Sequence, residues 1–356
     1  MVKRRRDNAL HSFRIDRDLT WNAVPARPFY RKLAQYGITP RGDCGWKAPP
    51  FLSPSRNAGS AHGKGRPEGF LMPELPEIAN LARQMDQELR GRRVSSVEIR
   101  QPKCLNLPPE DFRRLLIGKT FAEAGFRGKW VLARLITDAP GVKPAAPQPG
   151  TEARFLLSLG MGGDAFFHHP GASLPDQYQI RMDFTDASSF TIRFWWFGYA
   201  HAATPETLGL HKMTADLGLN PLDDREFSFD AFAGALEGKR GGVKSFLMDQ
   251  RNVAGIGNVY IQDILFLARL HPNRRVPTLT ETEKKSLHGA IRQVLAESTG
   301  MGGLKYEKDL YAQNGRWDTT RVGYREGKPC PICGTTIEKI RTGGTSSFIC
   351  PSCQEP

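Results

Sequence analysis

An α+β fold is what the 356-residue sequence predicts, in the order helix, β layers, helical segment and metal-binding hairpin. Three observations predict it. Apolar residues recur every three or four positions between Glu74 and Gly91. Short strand-like segments fill Val94 to about Ala203, and two Cys-x-x-Cys pairs close the chain.

The first 71 residues stand apart. They carry 14 Lys and Arg against 5 Asp and Glu, with seven prolines and no sustained periodicity. They read as a basic nucleic-acid-binding arm, an unstructured linker, or sequence upstream of a true start at Met72. At Met72 the pattern changes. Ile78, Leu81, Met85 and Leu89 share one helical face and Gly91 ends the run, which is an amphipathic helix with a C-terminal stop. Segments 94–100, 130–136, 155–160, 180–184 and 190–197 then read as strands of a β-sandwich or barrel, with Pro-rich 138–152 as a long connection. Helical patterning runs from Pro205 to about Leu310. The expected division is 1–71, 72–205, 206–322 and 323–356.

Charge and cysteine usage narrow the function. The net charge of +13 points to a polyanionic partner, nucleic acid being the simplest. Of that surplus, 9 lies in residues 1–71 and only 4 in 72–356, so placement of cations matters more than their sum. No apolar run approaches the roughly 20 residues of a membrane span. The N-terminus has no apolar signal segment, so a reducing cytoplasmic compartment is expected, where clustered thiols bind metal more often than they pair.

The cysteines are the most specific motif. Cys330-x-x-Cys333 and Cys350-x-x-Cys353 place two thiolates per turn, and the 16 residues between the pairs allow a hairpin to close a tetrahedron. With four ligands and no open position, one structural Zn²⁺ is expected. Cys44 and Cys104 have no partner spacing. Next comes Gly255-Ile-Gly-Asn258, a tight turn in which Asn258 opens a helix. It suits either a phosphate at the helix N-terminus or an ordinary glycine turn with an Asn cap. Third is Met72-Pro-Glu-Leu-Pro-Glu77, which fits the first turn of a helix. It also fits covalent chemistry. Met before Pro is readily trimmed, leaving Pro73 a secondary amine able to attack an aldehyde-level carbon, with Glu74 beside it to protonate a sugar oxygen.

In this order, the motifs resemble the formamidopyrimidine-DNA glycosylase/endonuclease VIII family of base-excision repair enzymes. The resemblance spans Met72 to Cys353. It is carried by Pro73–Glu77, Arg127-Gly-Lys-Trp130, Leu159-Gly-Met-Gly-Gly163, Phe197-Gly198, Lys244 with Leu247-Met-Asp249, Gly255–Tyr260, Leu270-His-Pro272 and Tyr324–Cys330. It implies an N-terminal helix with a two-layer β-sandwich, a helix-two-turn-helix domain and a zinc finger, with DNA in the cleft between the halves. It further implies a DNA glycosylase with AP-lyase activity that acts as a monomer on damaged duplex DNA, with no catalytic cofactor and no membrane. Such an enzyme would work at a bacterial nucleoid, or in a nucleus if the source is eukaryotic.

The same resemblance implies roles. Pro73 would form a Schiff base at C1′ and Glu74 would open the sugar. Lys129 would hold phosphate near the lesion, and Lys244 and Asn258 would contact phosphate and the lesion strand. Met161 would wedge into the space left by a flipped nucleotide, and Phe197 is a further DNA-binding position. Two departures stand out. Guanine-type members usually have Arg-Arg where this chain has Trp195-Trp196, and an arginine where it has Thr345. The first change removes a bidentate donor and supplies an aromatic face. The two departures leave the lesion, 8-oxoguanine included, and the opposite-base preference open. A non-catalytic binder of damaged or branched DNA is the alternative; a zinc-ribbon RNA binder conflicts with Pro73–Glu77.

Overall fold

The computed structural model describes residues 72–137, 150–318 and 320–356. Residues 1–71, Cys44 and most of the Pro-rich connection lie outside them. Helix α1 (Leu75–Leu89) carries a capping box, with Glu74 as N-cap, Glu77 reaching back to the Glu74 N–H, and Pro76 in the first turn. Leu75, Ile78, Leu81, Met85 and Leu89 are all fully or nearly buried, each contributing about 2 kcal/mol of apolar burial.

Eight strands follow α1, interrupted by the short helix α2 (Pro109–Leu116). They are β1 (Val94–Ile99), β2 (Thr120–Arg127), β3 (Trp130–Ile136), β4 (Glu152–Ser158), β5 (Asp164–His168), β6 (Ile180–Phe184), β7 (Ser189–Arg193) and β8 (Tyr199–Ala203). They form two four-stranded antiparallel sheets, ordered β1-β6-β7-β5 and β2-β3-β4-β8. Strict alternation in β6 (Ile180, Met182 and Phe184 inward) marks a sheet with one face in the core. The sandwich option is therefore the correct one, and β3 and β6 have the expected bounds. Strands β2, β5 and β8 were not among the expected segments, and the expected strand 190–197 stops at Arg193.

The helical part contains α3 (Pro205–Leu208), α4 (Phe229–Leu236), α5 (Val243–Met248), α6 (Tyr260–Leu267) and α7 (Glu281–Gly300). Thr280 caps α7 through a second capping box with Glu283. One continuous core joins α1, both sheets and the helices. A smaller core under the terminal hairpin β9 (Glu338–Thr342) and β10 (Thr345–Ile349) includes Phe266, Val322, Ile337 and Phe348. Among the described residues, no helix is long and apolar enough to cross a membrane.

Candidate active site

Three loops of distant sequence meet at the start of α1. The first is the chain entering α1, where Pro73 and Glu74 are both buried. The second is the two-residue turn Gly128-Lys129 between β2 and β3, closed by the Arg127–Trp130 pair. The third is the loop Gly255–Val259 leading into α6. Leu75 N–H donates to the Gly255 carbonyl at 3.1 Å, locking the first loop to the third.

Glu74 occupies the centre. Its Oε2 accepts from the Gly257 N–H at 2.7 Å and its Oε1 from the Val259 N–H at 2.9 Å. The buried amides before α6 thus hold a carboxylate from 183 residues away, at the turn where the sequence suited either a phosphate or an ordinary glycine turn with an Asn cap. Helix α6 also starts at Tyr260 with Val259 as N-cap, two residues later than expected. Burial pushes the Glu74 carboxyl up from its ordinary value, against the opposing pull of Lys129 and the Val259 and Gly257 amides. Lys129 lies just before β3 rather than in it. A Cβ built on Gly257 would fall 2.3 Å from Glu74 Oε1 and 2.5 Å from Lys129 Nζ, so any side chain here would displace both groups. Met72 Sδ lies 3.7 Å from Lys129 Nζ, so the methionine side chain lies beside the lysine at the entrance to Pro73.

A buried relay supports this centre, and sequence reading gave its members no role. Glu77 accepts from Glu74 N–H at 2.9 Å, from Leu304 N–H at 2.9 Å and from the Tyr260 hydroxyl, which also lies 2.6 Å from Ser298 Oγ. Burial pushes Glu77 up to about 7. Glu307 is raised to about 8 by burial and by Glu77, Asp164 and Glu74 nearby. The Glu-x-x-Glu spacing at 74–77 was a legible capping signal; Tyr260 and Glu307 gave none.

The other expected DNA-binding residues are distributed differently. Asn258 Oδ1 accepts from Gln262 Nε2 at 3.2 Å, which leaves its Nδ2 as the donor for a ligand. Met161 and Trp196 exchange backbone hydrogen bonds of 2.8 and 3.3 Å, bringing Met161 beside Phe197 on one edge. Lys244 departs from expectation. It is 3% exposed, and its ammonium donates to Thr342 Oγ1 at 3.2 Å, Thr345 Oγ1 at 2.8 Å, Ser346 O at 3.0 Å and Ser347 Oγ at 2.8 Å. A cation with four protein acceptors under the hairpin anchors the finger and has no donor left for a phosphate. Burial lowers its pKa to about 8. Helix α6 supplies two more anchors. Buried Asp263 accepts from the amides of Arg321, Val322 and Gly323, and Gln262 Oε1 accepts from Phe348 N–H.

The thiol sulfurs of Cys330, Cys333, Cys350 and Cys353 all lie within 4.8 Å of one another. Individual separations of 3.4, 3.5 and 3.9 Å match the roughly 3.8 Å between sulfurs of a tetrahedron with 2.3 Å Zn–S bonds. These four residues are positioned to bind one structural zinc. Cys104 is buried away from them.

Comparison with known proteins agrees with this geometry. Residues 72–195 match the formamidopyrimidine-DNA glycosylase N-terminal domain, 217–308 the H2TH domain of the same proteins, and 327–356 the zinc finger found in FPG and IleRS. The fold and its modules thus define the class of three-part DNA glycosylases with an H2TH domain and a four-cysteine finger. Formamidopyrimidine-DNA glycosylase of Streptococcus pneumoniae is 30% identical over 289 residues, covering 80% of this chain and 99% of that one. The Paracoccus denitrificans protein of the same name is 33% identical over 305 residues, covering 80% and 100%. This chain belongs to the formamidopyrimidine-DNA glycosylase family. Its fold matches Lactococcus lactis Fpg solved with N7-benzyl-Fapy-dG DNA and with abasic-site DNA, each with a TM-score of 0.70 and 24% identity over 80% of this chain and all of the other.

Proposed function

We propose that this protein is a bifunctional DNA glycosylase and AP lyase that works as a monomer on damaged duplex DNA. The observation that carries the reading is Glu74, a buried carboxyl adjoining Pro73, oriented by the Gly257 and Val259 amides. Relatives of the same name across the length of 72–356 support it. Pro73 Nα adds to C1′ of the damaged nucleotide as the N-glycosidic bond breaks. The base leaves with that electron pair and takes up a proton. Glu74 protonates O4′, the C1′–O4′ bond opens, and an iminium forms between Nα and C1′. Loss of a 2′ proton then expels the 3′ phosphate, and water hydrolyses the Schiff base.

Lys129 stands where it can neutralise a phosphate beside the sugar, and Asn258 Nδ2 can donate to the same strand. Met161 and Phe197 fill the space left by the extruded nucleotide. The zinc hairpin completes the DNA-facing half. An amide nitrogen has no lone pair to offer, so the chemistry specifies a chain beginning at Pro73. A DNA repair enzyme of this kind works on the chromosome, at the nucleoid of a bacterial cell.

The test is borohydride trapping on an abasic-site duplex with protein beginning at Pro73. A covalent adduct that disappears in Pro73→Gly is expected. Tight binding without an adduct would overturn the enzymatic reading in favour of a non-catalytic damaged-DNA binder.

A further inference from the structure

Two arginines face one recess outside the catalytic centre. Residues 240–242 run antiparallel to 274–276, with Val276 N–H donating to Gly241 O at 2.9 Å and Val243 N–H to Arg274 O at 2.8 Å. This ladder, the start of α5 and the tip of the finger hairpin wall a recess of about 320 Å³, lined by Arg240, Arg275, Ser245 and Gly343 among others. Ser245 Oγ is 3.5 Å from where a Cβ on Gly343 would stand, so helix and finger tip meet there.

The charge at this recess is uncommitted. Neighbouring cations have partners: Lys239 donates to Asn252 Oδ1 at 2.7 Å and Arg274 pairs with Glu283 at 3.2 Å. Arg240 and Arg275 are both exposed, and among the described residues neither has a carboxylate partner. Arg275 Nη2 donates to the Arg240 carbonyl at 2.9 Å. One donor thus fixes the guanidinium, and the rest of its fork is open.

The floor is open as well. Gly242 has φ −75°, and Gly241 is not among the glycines of left-handed conformation. A Cβ on Gly241 would meet nothing within 4 Å, and one on Gly242 nothing closer than 3.5 Å. Backbone geometry and packing would both accept side chains here; their absence lets a ligand approach the chain beneath the arginines. No aromatic ring lines the recess, so a base has nothing to stack on. Two guanidinium groups over bare backbone match the oxygens of a phosphate.

The recess also continues the surface assigned to DNA. Ser346 O accepts from Lys244 Nζ at 3.0 Å and from Gln262 Nε2 at 3.3 Å, and the same Nε2 donates to Asn258 O at 2.8 Å. Contacts run unbroken from Asn258 through the finger to α5. Lys244 is consumed by the finger and Thr345 carries no charge, so Arg240 and Arg275 are the exposed cations lining this junction.

We propose that Arg240 and Arg275 clamp one backbone phosphodiester of the bound DNA in this recess, away from the reacting nucleotide and without regard to base sequence. This deepens the glycosylase reading and rests on its assignment of the finger side to DNA. Phosphate contacts of this kind fix the register of a protein on a duplex and carry no sequence information.

The experiment uses protein beginning at Pro73 and duplexes carrying a tetrahydrofuran abasic analogue, which binds without Schiff-base chemistry. One phosphate at a time is replaced by an uncharged methylphosphonate. In the wild type, one position away from the lesion should weaken binding about tenfold. In Arg240→Gln with Arg275→Gln, that position should have no further effect, and the salt dependence should lose about 0.9 from its slope. Gly241→Leu fills the floor with every charge in place, and should reproduce both effects at an unchanged thermal midpoint. Methylphosphonate losses equal in wild type and double variant at every position, or a Gly241→Leu protein that binds as the wild type does, would overturn the clamp. Separately, borohydride trapping that fails while the double variant still removes one methylphosphonate effect would overturn the enzyme and leave the clamp standing.

Discussion

Gly257 and Glu74 share one space: the carboxylate fills the volume that any side chain at 257 would need, 2.3 Å from the Cβ position. Gly257→Ala should therefore push Glu74 and Lys129 out of register while leaving the fold. A displacement of about 1 Å at a reacting group costs on the order of 100-fold in rate, and the overpacking about 1–3 kcal/mol. Strand nicking and thermal unfolding on one preparation check this; a variant with wild-type nicking would refute it.

Glu74→Gln should separate chemistry from binding. The amide keeps the shape and one acceptor for the cradle but cannot deliver a proton. Lyase turnover should fall about 100- to 10,000-fold. Affinity for a tetrahydrofuran duplex should stay within about threefold, since that interaction precedes the proton transfer. Equal losses in both would point to a collapsed site.

Glu77 predicts a pH dependence of stability. Its folded pKa of about 7 lies above the ordinary 4.5, so between these values the native state holds a proton that the unfolded chain releases. Stability is then full below about pH 4.5 and falls as pH rises towards 7, by at most about 3 kcal/mol. Glu307, raised to about 8, acts in the same direction. Glu77→Gln should flatten the decline in thermal midpoint between pH 5 and 8; parallel curves would count against the assignment.

Lys244→Met should loosen the finger rather than weaken phosphate contacts. The substitution strands three hydroxyls and the Ser346 carbonyl beneath β9 and β10, at about 1–3 kcal/mol. Zinc loss to a chelator should accelerate, and the salt dependence of DNA binding should keep its slope. A slope reduced by about one would restore Lys244 as a phosphate ligand.

Local patterns carried much of the architecture. The face of α1 was legible because Ile78, Leu81, Met85 and Leu89 keep helical spacing, and β6 because its burial alternates. Strand β8 was not, since Tyr-Ala-His-Ala-Ala has no β-branched residue, and β2 was not, since both its faces are covered in places. The four sulfurs were legible because their ligand spacing is itself local. The catalytic cradle was not. A helix start offers its amides to any anion, and nothing in the spacing of 255–259 says that the anion is Glu74. Lys244 was misread for the same reason: what lies above it comes from residues 342–347.

The stretch from Gly255 to Asp263 receives Leu75, Glu74 and Glu77 from one side and the finger from the other. During synthesis, which runs from the N-terminus, a nascent chain acquires Pro73 and Glu74 some 180 residues before the amides that orient the carboxylate exist. Closing so long a loop is among the slower events of folding. The acid is therefore armed late, and a truncated or half-folded chain carries an amine with no poised acid beside it.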